Sequence, residues 1–158
     1  MDEESLPQGL RAFVLTAIDE AARRGAGTVQ AEHVLLAVAA DKIGAASKVL
    51  VDAGLDYEAI VAALREERAR SLATAGITPV DASLLESTPR RSARPTWGAS
   101  VRDAMDRGRR SSARNRRRRS PDIDLLIGIL GADVGTVPRA LAIAGIDRHA
   151  LIDRLQQL

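Results

Sequence analysis

Residues 44–64 read GAASKVLVDAGLDYEAIVAAL, and residues 135–155 read GTVPRALAIAGIDRHALIDRL. Seven positions are identical at a constant offset of 91: Gly44/Gly135, Leu50/Leu141, Ala53/Ala144, Gly54/Gly145, Asp56/Asp147, Ala59/Ala150 and Leu64/Leu155. Most other apolar positions match conservatively, which marks an internal repeat. Each shared residue has a physical task. A glycine suits the left-handed position just after a helix. An aspartate two residues on suits the N-cap of the next helix, where its carboxylate can accept an exposed backbone N–H. The repeated unit is therefore helix, Gly, apolar residue, Asp, helix.

Upstream, Leu35-Leu36 pairs with Leu125-Leu126 at an offset of 90, so one residue is inserted between helices in the second copy. The apolar positions before and between these phrases follow helical spacing. Leu6, Leu10, Phe13, Val14, Ala17, Ile18 and Ala21 make one face of a first helix, stopped by Gly25-Ala26-Gly27. Val34, Leu35 and Val38 mark a second helix, Val49, Leu50 and Ala53 a third, and Tyr57, Ile60, Val61 and Leu64 a fourth. In the second copy Trp97, Val101, Ala104 and Met105 sit at the spacing of a first helix, and Ser120-Pro121 restarts a helix with Ser as N-cap. Ala, Leu, Arg and Glu, all good helix formers, dominate, and alternating β-branched runs are absent. The expectation is an all-α chain of two four-helix copies, 1–70 and 96–158, joined by a linker, 71–95, that contains Pro79, Pro89 and Pro95 and at most a short helical turn around Ser83–Glu86. Neither half is comfortable alone at this size, so the copies are expected to pack as one pseudo-two-fold domain.

Composition narrows the chemistry. The 158 residues are 46% hydrophobic, with Phe13, Tyr57 and Trp97 the only aromatics, so the core must be aliphatic. There is no cysteine, which excludes a disulfide scaffold, a thiol nucleophile and every Cys-based metal site. His33 and His149 belong to no ligand spacing, and neither a metal nor a cofactor is expected. No G-x-S-x-G occurs, and Glu66-Glu67 reads as a solvated helix face, so the chain does not read as an enzyme. The apolar stretches are too short for a membrane span, and a cytoplasmic protein is expected. The net charge of +2 hides an acidic half, with 8 Arg/Lys against 12 Asp/Glu in residues 1–79, and a basic half, with 15 against 9 in residues 80–158.

The first copy contains Gln30-Ala31-Glu32-His33-Val34-Leu35-Leu36, followed by Gly44-Ala45-Ala46-Ser47-Lys48-Val49-Leu50-Val51-Asp52-Ala53-Gly54-Leu55-Asp56. These phrases, and their repetition, resemble the Clp repeat domain at the N-terminus of AAA+ unfoldases of the ClpA and ClpC kind. There the second helix opens with a phrase like Gly-Thr-Glu-His-Leu-Leu-Leu. Copy two keeps the later phrase but carries Ser120-Pro121-Asp122-Ile123-Asp124-Leu125-Leu126 in place of the former. The family opens each copy with Phe-Thr, where this chain has Leu6-Pro7 and Trp97-Gly98, and its linker looks shorter than this one. The sequence has no G-x-x-x-x-G-K-[ST], so the resemblance implies a free-standing domain without the ATPase motor. It further implies a protein-binding role in Clp-dependent proteolysis, with clients, adaptors or Clp components as partners, the chain acting as adaptor or decoy.

Particular residues follow. The resemblance places Glu32 in a site for phosphorylated arginine on client proteins, and Asp122 at the matching place in copy two. A carboxylate suits a guanidinium through paired charge-assisted hydrogen bonds. Read from the residues alone, both acids sit in a helix's first turn and complement its dipole. Leu6 and Trp97 stand where the family has its opening aromatics, as partner contacts or as packing onto the bundle. His33 is expected in the packed interior. Eight arginines crowd residues 107–119: Arg107, Arg109, Arg110, Arg114, Arg116, Arg117, Arg118 and Arg119. That stretch reads first as a solvated, partly disordered loop. Its other readings are a dock for an acidic protein and a nucleic-acid contact through phosphates, though no aromatics interleave the arginines for base stacking.

Overall fold

The computed structural model describes residues 8–77, 96–114 and 119–158. Among them are eight helices: α1 (Gln8–Arg23), α2 (Ala31–Ala40), α3 (Ala45–Asp52), α4 (Tyr57–Thr74), α5 (Ala99–Arg114), α6 (Pro121–Leu130), α7 (Thr136–Ile143) and α8 (Arg148–Gln156). Two short strands, β1 (Thr28–Val29) and β2 (Thr96–Trp97), pair in parallel, with Val29 opposite Trp97. The described residues are all-α but for this clip. α1 and α5 align at an offset of 91, as do α3 with α7 and the starts of α4 and α8, whereas α2 and α6 align at 90. The inserted residue lies between α6 and α7, where 131–135 replace the shorter 41–44 of the first copy.

The repeated phrase folds as its chemistry demands. Gly54 and Gly145 have φ of +76° and +71°, and behind them Leu55 N–H and Ile146 N–H bond back to the carbonyls of Leu50 and Leu141 at 2.9 Å. Asp56 Oδ1 then accepts from Ala59 N–H at 2.8 Å, and Asp147 Oδ1 from His149 and Ala150 N–H at 2.9 and 3.2 Å.

At the centre lie α2 and α6, apolar nearly all round and buried along almost their whole length. α1 packs on α2 and α5 on α6, while α2 meets α6 across the middle. The main contacts between the copies occur with their symmetry mates: α3 with α6 and α7 with α2, α4 with α7 and α8 with α3, α1 with α6 and α5 with α2. The fourth helix of each copy thus packs on the third helix of the other. Glu67 on α4 takes Arg139 of α7 at 2.7 Å, and Asp52 on α3 takes Arg154 of α8 at 3.2 Å. The fully buried side chains are aliphatic, including Leu35, Leu36, Leu50, Leu126, Leu130 and Leu141. Phe13, Tyr57 and Trp97 pack around the edge, half-buried.

Two features depart from the sequence reading. α4 continues through Ser71–Thr74, into the stretch read as linker. It ends with Ile77 N–H on the Leu72 carbonyl. The arginine stretch is not a loop as far as Arg114, because α5 runs through it. Arginine is a good helix former and favours a helix C-terminus. Gly108, within the stretch, also packs tightly on α6. A Cβ there would lie 2.4 Å from the Asp124 carbonyl oxygen, and one on Gly128 would lie 1.9 Å from that of Ala104. Leu6, Arg116, Arg117, Arg118 and the short turn expected at Ser83–Glu86 lie outside the described residues.

Candidate functional site

The N-terminus of α2 is held by both copies. Ala31 N–H donates to Ser100 Oγ of α5 at 3.0 Å, and Ser100 Oγ donates to Gln30 Oε1 at 2.5 Å. Gln30 N–H donates to His33 Nδ1 at 2.9 Å, so histidine fills the place that Glu or Gln takes in a capping box. An accepting Nδ1 requires a neutral ring. Burial, reinforced by the nearby Arg24 charge, lowers the His33 pKa to about 4. His33 is the packed, hydrogen-bonded interior residue expected of it.

This arrangement turns Glu32 the other way, into a cleft of about 650 Å³. The cleft is bounded by the end of α1, β1, the start of α2, α4 and Thr136, the first residue of α7. Two acids in its wall already have partners. Glu20 accepts from Tyr57 Oη at 2.9 Å and pairs with Arg23 and Arg24 at 3.2 and 3.5 Å. Glu67 Oε1 accepts from Arg139 Nε and from Ser71 Oγ, both at 2.7 Å. Burial, and then the Glu20 bond, push the Tyr57 pKa up. Glu32 differs from both acids, since no cation among the described residues is in ion-pair contact with it. Burial is the main cause of its raised pKa. Its own backbone N–H opposes the rise, the Glu67 charge adds to it, and Arg139 and Arg24 counter it from a distance. Gly135, the N-cap of α7, has no side chain to offer, and no other described side chain caps that helix. Among the described residues, the cleft therefore holds a carboxylate in no ion pair and a helix N-terminus that no side chain caps.

Asp122 is in a different setting. It is 7% exposed, and its Oδ2 accepts from Ala46 N–H of α3 at 3.1 Å. The acid of copy two thus caps a helix of copy one. Beside it runs a groove of about 780 Å³ walled mainly by Phe13, Ala37, Ala40, Ala45 and Pro121. Glu32 and Asp122 match in sequence, but one lines a charged cleft and the other serves as an internal cap. Trp97 lies in β2, half-buried against the core. Thr136 and Arg139 were not singled out from sequence, and Glu67, read there as part of a solvated helix face, is instead buried at 4% exposure, because it turns into the cleft wall to take Arg139 and Ser71. The available signal was Thr136, which follows Gly135 where copy one has Ala45 after Gly44.

The arginines divide into two groups. Arg107 Nε donates to the Gly128 carbonyl at 2.8 Å. Arg119, its side chain 1% exposed, donates through Nη2 to Ser111 O and Oγ at 3.1 and 3.0 Å. Its Nε stands 3.2 Å from Asp124 Oδ1, off the line of a hydrogen bond. Arg109, Arg110 and Arg114 are exposed. Among the described residues, no group of three or more histidines and acids is arranged to hold a metal ion. No helix among them is long and apolar enough to cross a membrane.

No protein-family model matches the sequence, and no curated protein does. The eight-helix arrangement is that of a Clp N-terminal-domain fold, which a solved structure shares. That structure is the crystal structure of the N-terminal domain of ClpD, a caseinolytic protease associated chaperone from Arabidopsis thaliana. The two superpose with a TM-score of 0.64 at 17% identity, over 99% of this chain and 96% of that one. At that identity the likeness is one of fold.

Proposed function

We propose that this chain is a cytoplasmic, non-enzymatic interaction domain that receives clients or adaptors of Clp-dependent proteolysis in the cleft around Glu32, as an adaptor or a decoy. The observation that carries the reading is Glu32 itself, a half-buried carboxylate with a raised pKa and, among the described residues, no ion-pair partner, sharing a cleft with a start of α7 that no described side chain caps. A phosphorylated arginine side chain supplies both missing groups. Its guanidinium N–H donors suit Glu32, and its phosphate suits the α7 N–H groups and the Thr136 hydroxyl.

Calorimetric titration with free phosphoarginine, alongside arginine and phosphoserine, tests this. Phosphoarginine should bind, and the other two, each carrying half of the recognised group, should bind at least about tenfold more weakly, the effect of one charge-assisted contact. Glu32→Gln should abolish the preference without harming the fold. A raised folded pKa means ionised Glu32 opposes folding at neutral pH, so the variant's melting temperature should hold or rise. A wild type that binds none of the three, or a Glu32→Gln variant that binds as the wild type does, refutes the reading.

A further inference from the structure

The exposed arginines of α5 lie outside that cleft, and none of them lines it. α1 provides an internal control, because it is the same helix at an offset of 91 and makes the symmetry-equivalent packing. Where α5 has Arg109, Arg110 and Arg114, α1 has Ile18, Asp19 and Arg23. The fold therefore asks for no positive charge at two of the three positions. Arg107 and Arg119 turn inward to Gly128 and Ser111, which leaves Arg109, Arg110 and Arg114 on the solvent side of the last two turns. Among the described residues only Arg109 of the three has an acidic partner, Asp106 at 3.5 Å, and both side chains are mostly exposed. Such a pair contributes little and exchanges readily for another carboxylate.

We propose that this face of α5 docks an acidic segment of a partner protein. Asp103 and Asp106 are exposed on the same helix, one to two turns before the arginines. A row of phosphates following the helix would meet both acids, whereas a short acidic peptide seated on the last two turns stays clear of Asp103 and meets only Asp106, which it displaces from Arg109. No aromatic lies on α5 to stack a base. Arginine's planar fork of donors matches carboxylates in pairs.

The test is fluorescence anisotropy on the full chain at about 150 mM salt, near the physiological screening regime. The probes are a fluorescein-labelled twelve-residue Glu/Asp peptide and a labelled 20-nucleotide single strand and 20-base-pair duplex. The peptide should bind, and R109Q/R110Q/R114Q should weaken it by about tenfold, the sum expected of three exposed charge pairs. D103N/D106N should tighten it, an outcome that a merely unfolded variant cannot mimic. A peptide that does not bind the wild type, a triple variant that binds it equally well, or a D103N/D106N variant that gains nothing overturns the proposal. Either nucleic acid binding more tightly than the peptide also overturns it, in favour of phosphate contacts.

Discussion

His33 and Glu32 are neighbours whose charges move in opposite directions for the same cause, burial. The ring has its pKa lowered to about 4 and the carboxyl has its pKa raised. Because the folded pKa of His33 lies below its free value of 6.5, its contribution to stability is complete above pH 6.5. That contribution is lost as the pH falls from 6.5 to about 4, amounting to about 3 kcal/mol at most. His33→Gln keeps an acceptor for the Gln30 N–H and removes the titration. Urea unfolding at pH 7 and at pH 4.5 should show a smaller loss in the variant than in the wild type, and equal losses would show that His33 is not the titrating group. The interior position of His33 was legible from its phrase. The role of Asp122 was not, since its place on α6 says nothing of which helix start stands opposite. Only the approach of α3 makes it a cap for Ala46.

Helix α5 shows how a neighbour settles what composition leaves open. Its arginine content suggested a solvated loop, yet Ala104, Arg107, Gly108 and Ser111 recur at helical spacing on the side facing α6. Arg107 and Ser111 use that side for hydrogen bonds, and Gly108 uses it for close contact. The periodicity was present in the sequence. Its meaning depended on Gly128, which lets the two backbones meet. Gly128→Ala should gain about 1 kcal/mol of helix propensity. It should nonetheless be destabilising, because its Cβ would fall 1.9 Å from the Ala104 oxygen and α5 and α6 would have to part. We expect a net loss of about 2 kcal/mol or more, seen as a fall in melting temperature of about 4–8 °C. An unchanged or higher melting temperature would mean that the helices separate freely.

The two copies depend on each other. α4 packs on α7 and α8 on α3, and the Ala31 and Ala46 N–H groups of copy one are capped by Ser100 and Asp122 of copy two. Fragments 1–77 and 96–158 should therefore each lack a cooperative melt in far-UV circular dichroism and regain one when mixed. A cooperative transition in either fragment alone would show independent repeats. The helices other than the arginine-rich end of α5 and the last turn of α4, their glycine and aspartate boundaries, the repeat and the aliphatic core were determined by the sequence by itself. Capping and hydrophobic periodicity act over a few residues, and those residues are adjacent in the chain. The cleft was decided only by the tertiary structure. Glu32, Glu67 and Thr136 come from three helices and both copies, and their exposure arises from burial between helices that no local pattern encodes. The same physics separates Glu32 from Asp122, which are equivalent in the repeat but meet different helix starts in space.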